Sequence, residues 1–147
     1  MMPKTGFDTP LQQYRQNQIA TASPHQLLLM LFDGALRFVH QAAEALEKKD
    51  YNTANLVLCR AQKIIGELMA SLDFNQGKIA VDLFKIYEYL YHRLVKANIK
   101  KSCEPLPEVE TMLGELRESW AEAGRLCASA QGDGFLVADR VLPSQAR

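Results

Sequence analysis

The side chains of this sequence best suited to metal or nucleophilic chemistry are His25, His40 and His92 with Cys59, Cys103 and Cys127. A di-metal carboxylate site in a helical bundle uses Glu-x-x-His pairs on facing helices plus further inward glutamates. Here Glu88 precedes His92 by four positions rather than three, and no second pair of that kind exists. His40 and Glu44 form another i,i+4 pair, most simply a surface contact, and His25 falls in a first helical turn. Nucleophilic catalysis has no better footing, for there is no GxSxG elbow and no local motif joining a histidine to a cysteine. No glycine-rich phosphate loop occurs either. Lys96, Lys100 and Lys101 cluster at a helix C-terminus, where neutralising the helix dipole accounts for them. The residues therefore predict no metal, no cofactor and no enzyme activity.

The three cysteines are odd in number and widely spaced, which suits reduced thiols in a cytosol better than a disulfide framework. A chain of 147 residues with 48% hydrophobic and 23% charged residues reads as one domain with a sizeable core. Seventeen basic residues balance seventeen acidic ones, so no nucleic-acid footprint is expected. The longest apolar run, Leu27 to Phe32, is far too short for stable membrane insertion. The opening MMPKTGFDTP lacks the apolar centre of a secretory signal, and a cytoplasmic location is expected.

The elements that must position these side chains all read as helices. Ser23-Pro24-His25-Gln26 combines an N-cap serine, a first-position proline and the glutamine of a capping box. Leu27, Leu31, Gly34, Phe38 and Ala42 then step by four, three, four and four, straight through an Asp33-Gly34 pair that would otherwise suggest a turn. Gly34 lies on this seam, where a missing side chain admits a close neighbour, and Asp33 is placed to pair with Arg37. The helix ends near Lys48-Lys49, and Asp50 caps a second with seam Ala54, Leu58, Ala61, Ile65, Leu68 and Leu72. A third runs from about Gly77 to Lys101 on Ile79, Leu83, Ile86, Leu90, Leu94 and Ala97. A fourth follows Pro105 and Pro107 on Val109, Leu113, Leu116, Trp120, Ala123 and Cys127. The predicted fold is all-α, an antiparallel up-down-up-down four-helix bundle over residues 23–130. A mobile N-terminal arm (1–22) precedes it, and a frayed, flexible tail (131–147) follows.

The third helix carries more apolar surface than such a bundle needs. From Leu83 to Val95, nine of thirteen residues are aliphatic or aromatic, and Ala80, Phe84, Tyr87, Tyr91 and Val95 form a second stripe beside the seam. The second helix is wide as well, with Val57 and Ile64 on one flank and Met69 on the other. One reading has the tyrosines snorkelling at the bundle edge, another makes the stripe a homodimer interface. A third has a groove that receives an amphipathic helix from another protein.

The sequence resembles the flagellar secretion chaperone FliS family. The likeness begins at Tyr14 and Asn17, runs through TASPHQLLLMLFDGAL, and resumes at AQKIIGELMASLDF, KIYEYLYHRLVKANIKK and EPLPEVETMLGELRESW, covering about residues 11 to 122. Phe32 stands where the family often has tyrosine, Gly77-Lys78 replaces a frequent glycine pair, and Pro107 replaces a residue that is usually polar. The resemblance implies a cytoplasmic chaperone that holds the disordered C-terminal region of flagellin, prevents premature polymerisation and presents it to the flagellar type III export gate. The alternatives are a related helical adaptor for another filament-associated protein and, from a different class, a bundle metalloenzyme. The resemblance also implies that arm residues Leu11 and Tyr14 cover the client surface in the absence of client and help engage the gate. A client that orders on binding must bury much apolar area. The candidate client groove is therefore Phe84, Tyr87, Tyr91 and Val95 with Val57, Ile64 and Leu68.

Overall fold

In a computed structural model the described residues are 21–133, with side chains through Ser129. Leu11 and Tyr14 of the arm, and the tail from Gly134, lie outside them. Four helices follow in order: α1 Pro24–Glu47, α2 Tyr51–Ala70, α3 Lys78–Lys100 and α4 Leu106–Asp133. A single 3₁₀ turn, Phe74–Gln76, precedes α3. The packing forms a ring in which α1 meets α2 and α4, and α2 meets α3. The α3–α4 side is the loosest of the four.

Local chemistry sets the helix ends. Ser23 Oγ accepts from the Gln26 N–H (3.1 Å) while Gln26 Oε1 accepts from the Ser23 N–H (2.9 Å), completing the capping box. Asp50 Oδ1 accepts from the Thr53 N–H (3.2 Å) and starts α2. Helices α1 and α3 both end in reversals with a lysine, rather than glycine, in the left-handed region: Lys49 at φ 59° and Lys101 at φ 52°. In each, the next residue's N–H returns to the last turn, Asp50 to Ala45 O (2.8 Å) and Ser102 to Ala97 O (3.1 Å).

The core is almost entirely aliphatic, with Phe32 and Tyr87 its two aromatic members. The α2 seam is as the spacing predicts, with Ala54, Leu58, Ala61, Ile65 and Leu68 all buried. Helix α1 is rotated by about one residue from its predicted seam, burying Phe32, Ala35, Val39, Ala42 and Leu46. Phe38 stays half-buried, its ring between the guanidinium groups of Arg37 (5.5 Å) and Arg60 (5.9 Å). Gly34 is buried as expected, and a Cβ there would lie 3.2 Å from Ile64 Cδ1. Asp33 does not pair with Arg37, as its spacing suggests, but crosses to Arg117 on α4 (2.6 Å to Nε). On α3 the inward positions are Ala80, Tyr87, Leu90, Leu94 and Ala97, while Ile79 is exposed and Ile86 half-buried. Helix α4 buries Leu106, Val109 and Leu113, but Leu116, Trp120, Ala123 and Cys127 are only half-buried. It also continues to Asp133, past the Gln131 and Gly132 that the sequence assigns to the tail.

Candidate functional site

The α3–α4 seam is closed at one end and open at the other. At the closed end, around the C-terminus of α3 and the start of α4, Tyr89 donates to the Glu108 carboxylate (2.8 Å). Arg93 Nε lies 3.0 Å from the same carboxylate, and its Nη2 lies 3.6 Å from Glu104. Glu108, accepting the hydroxyl, pushes the Tyr89 phenol pKa above its usual range. Beneath this polar lid, Leu90, Leu94, Val109 and Leu113 are fully buried.

Tyr87 and Trp120 stand where the closed end gives way to the open end. Tyr87 is 1% exposed, its ring centroid is 6.5 Å from that of Phe32, and the Trp120 indole is the polar neighbour acting on its hydroxyl. The indole has only an N–H to donate, so the phenol oxygen is the acceptor. Burial pushes the Tyr87 pKa up, and the indole bond partly offsets that. Above this pair, Ile79 and Leu83 of α3 border open space together with Leu28 and Leu72, and Trp120 is the α4 wall. A cavity of about 440 Å³ results, lined mainly by Leu28, Leu72, Ile79, Leu83, Tyr87 and Trp120, with Asp73 and Gln76 among its polar lining. A second hollow of about 260 Å³ lies along the same seam, with Ile86 on one wall and Met112 and Leu116 on the other. Its polar members are Glu115 and Ser119. The imidazole of His25 tops α4 beside this region, filling the place a Gly124 side chain would take.

The opposite flank of α3 faces α2. Asn98 Nδ2 donates to Asn55 Oδ1 (2.8 Å), which fixes Asn55 and Cys59 as the α2 positions beside α3. Phe84 makes an edge contact with Phe74 (5.8 Å between centroids), and Phe84, Tyr91 and Val95 are half-buried along this side. A Cβ added at Gly66 would meet nothing within 4 Å, so α2 is open there.

The structure divides the seven predicted groove residues among three places. Phe84, Tyr91 and Val95 share a half-buried stripe on α3. Leu68 and Tyr87 are core side chains, each 1% exposed. Ile64 turns to α1 against Gly34, and Val57, seven residues earlier on the same face, is 5% exposed. These last two therefore lie on the far flank of α2 from the α3 stripe. Sequence reasoning missed the open seam because Leu83, Ile86, Leu116 and Trp120 fit a seam pattern and were assigned to the core. No sequence signal marks which seam residues lack a partner across the bundle, because periodicity does not give the rotation of the neighbouring helix.

Among the described residues, no group of three or more histidines, cysteines, aspartates and glutamates could hold a metal ion. His40 pairs with Glu110 of α4 rather than with Glu44. No described helix is long and apolar enough to cross a membrane.

The family model described as "Flagellar protein FliS" matches residues 7–126. The chain belongs to the FliS family. It is 40% identical over 117 residues to the flagellar secretion chaperone FliS of Bacillus subtilis, covering 80% of this chain and 87% of the relative. The Salmonella typhimurium FliS is 35% identical over 124 residues, with 83% and 92% covered. The Pseudomonas aeruginosa chaperone FliSB is 34% identical over 115 residues, with 75% and 91% covered. FliS proteins are flagellar secretion chaperones and not enzymes, which agrees with the lack of catalytic constellations in this sequence. The matched segment ends at residue 126, so it contains all of the α3–α4 seam described above.

Proposed function

We propose that this chain is a cytoplasmic export chaperone for flagellin. It binds flagellin's disordered C-terminal region along the apolar surfaces flanking α3, prevents premature polymerisation, and delivers the complex to the flagellar export gate. The observation that carries this reading is the open α3–α4 seam, with the Phe84, Tyr91 and Val95 stripe on the other flank. A segment that folds on binding buries on the order of 1,000–3,000 Å² to offset its ordering entropy. Two apolar channels on either side of one helix let a single segment wrap that helix and reach such an area. Leu11 and Tyr14 of the arm occupy part of this surface before the client arrives and take part in engagement of the gate.

Calorimetric titration with the C-terminal segment of the cognate flagellin, followed by circular dichroism, tests the proposal. Saturable binding with a gain of helix is the expected result. Leu116→Asp and Tyr91→Asp should each weaken it while the bundle remains folded. Unchanged affinity in both variants would remove the two surfaces from the client path. Preference for a hook-associated or filament-cap segment over flagellin would make the protein an adaptor for that cargo instead.

A further inference from the structure

We infer that the cavity at the open end of the α3–α4 seam is filled by the chain's own segment after α4, residues 134–147. The sequence of this segment, GFLVADRVLPSQAR, places five large apolar residues (Phe135, Leu136, Val137, Val141 and Leu142) within eight positions. They follow a stretch, Cys127 to Asp133, with no large aliphatic or aromatic side chain. An apolar cluster of this density lowers its free energy by leaving water, at about 25 cal/mol per Å² buried. Unfilled apolar surface within reach of it includes the cavity lined by Leu28, Leu72, Ile79, Leu83, Tyr87 and Trp120.

Reach and geometry permit the return. Asp133 lies thirteen residues beyond Trp120 on the same helix, about 20 Å at ~1.5 Å per residue. The nine residues from Asp133 to Leu142, the last of the apolar cluster, span up to about 30 Å when extended, half as much again as is needed. Gly132 and Gly134 supply backbone freedom that lets a chain turn back on itself. Tethering also favours this occupant over a second copy, because a short linker holds the segment at an effective concentration on the order of millimolar. A weak intrinsic preference is then enough to cover the cavity, and a client presenting more apolar surface can displace it.

Trp120 is the only tryptophan of the chain and lines the cavity, so its fluorescence reports occupancy without any client. The comparison is between the full chain, a variant ending at Asp133, a Leu136→Asp/Val141→Asp variant, and a variant lacking residues 1–20. Truncation after Asp133 should shift Trp120 emission to longer wavelength and raise its quenching by acrylamide. The double substitution should do the same, and the synthetic 134–147 peptide added to the truncated chain should reverse it. Identical emission and quenching in the full, truncated and doubly substituted chains would overturn the inference. So would exposure of Trp120 only on removal of residues 1–20, which would assign the cavity to the arm. Emission that changes with protein concentration in the full chain would assign it to a second copy and equally overturn the inference. Because no flagellin is present, each of these results leaves the client proposal to be judged by its own titration.

Discussion

The two ends of the α3–α4 seam are built from the same pair of helices and behave differently. At the closed end, leucine and valine meet from both sides beneath the Tyr89, Arg93, Glu104 and Glu108 cluster. At the open end, α3 still presents Leu83 and Ile79, but of α4 only Trp120 reaches the cavity that they line. The two ends differ in how many side chains of α4 meet those of α3. One end of the bundle is therefore assigned to holding the fold, and the other is left with apolar surface that a further segment can cover. Stability and binding should separate along one seam.

The strongest way to break that comparison is to truncate a leucine at each end. Leu113 is fully buried, and Leu113→Ala should cost about 2–5 kcal/mol of unfolding free energy, because a packed core relaxes only partly around the hole. Leu83, half-buried on the cavity wall, should lose only about 1 kcal/mol on Leu83→Ala, since few neighbours are removed. Urea unfolding measures both. Equal losses would mean that the two ends are packed alike. In titrations with the flagellin segment the order should invert, with Leu83→Ala the more damaging of the two wherever Leu113→Ala is still folded.

The closed end was the legible part of the molecule. A period of three and four residues with leucine, isoleucine or valine at each step reads directly as core, and Leu58, Leu90, Leu94 and Leu113 sit where that pattern puts them. Caps were equally plain, because Ser23 and Asp50 act on neighbours three residues away. What could not be read was which flank of a wide helix faces which neighbour. Ile64 and Tyr91 both look like excess apolar surface, yet one meets Gly34 of α1 and the other lies on the stripe of α3. Periodicity gives the angle of a residue about its own helix but not the rotation of that helix in the bundle. The one-residue rotation of α1, which buries Phe32 instead of Phe38, is the same ambiguity.

A sharper test targets the boundary between the two ends. Tyr87→Phe keeps the buried ring against Phe32 and removes only the oxygen on which the Trp120 indole acts. The expected loss is about 1 kcal/mol, the usual net worth of a hydrogen bond. The indole, freed of its partner, should also change its emission. A change in stability without any spectral change would show that the bond does not hold Trp120 in place. Gly34→Ala probes the other side of the ring, where a helix gains roughly 1 kcal/mol from replacing glycine but the new methyl presses on Ile64 Cδ1 at 3.2 Å. The single variant should be close to neutral, and combining it with Ile64→Val, which removes that carbon, should release the gain. Strict additivity of the two substitutions would contradict the contact.

The smallest effect is electrostatic and distinguishes the two phenols of the seam by pH. Both Tyr87 and Tyr89 titrate above their ordinary value of 10.0, the first through burial and the second through the Glu108 carboxylate. A phenol whose pKa is higher in the folded protein is held in its protonated form. Its contribution to stability is complete below pH 10 and is lost as pH rises through the folded-state value. Thermal stability should therefore decline above about pH 10, with both ends of the seam contributing. Tyr89→Phe should remove only the share of the closed end, and this share should shrink in added salt because the pair is open to solvent. The share of Tyr87 should persist in salt, since desolvation rather than a neighbouring charge sets it. If salt abolished the whole alkaline decline, burial of Tyr87 would not be the cause of its shift, and the boundary that divides the seam into two ends would have to lie elsewhere.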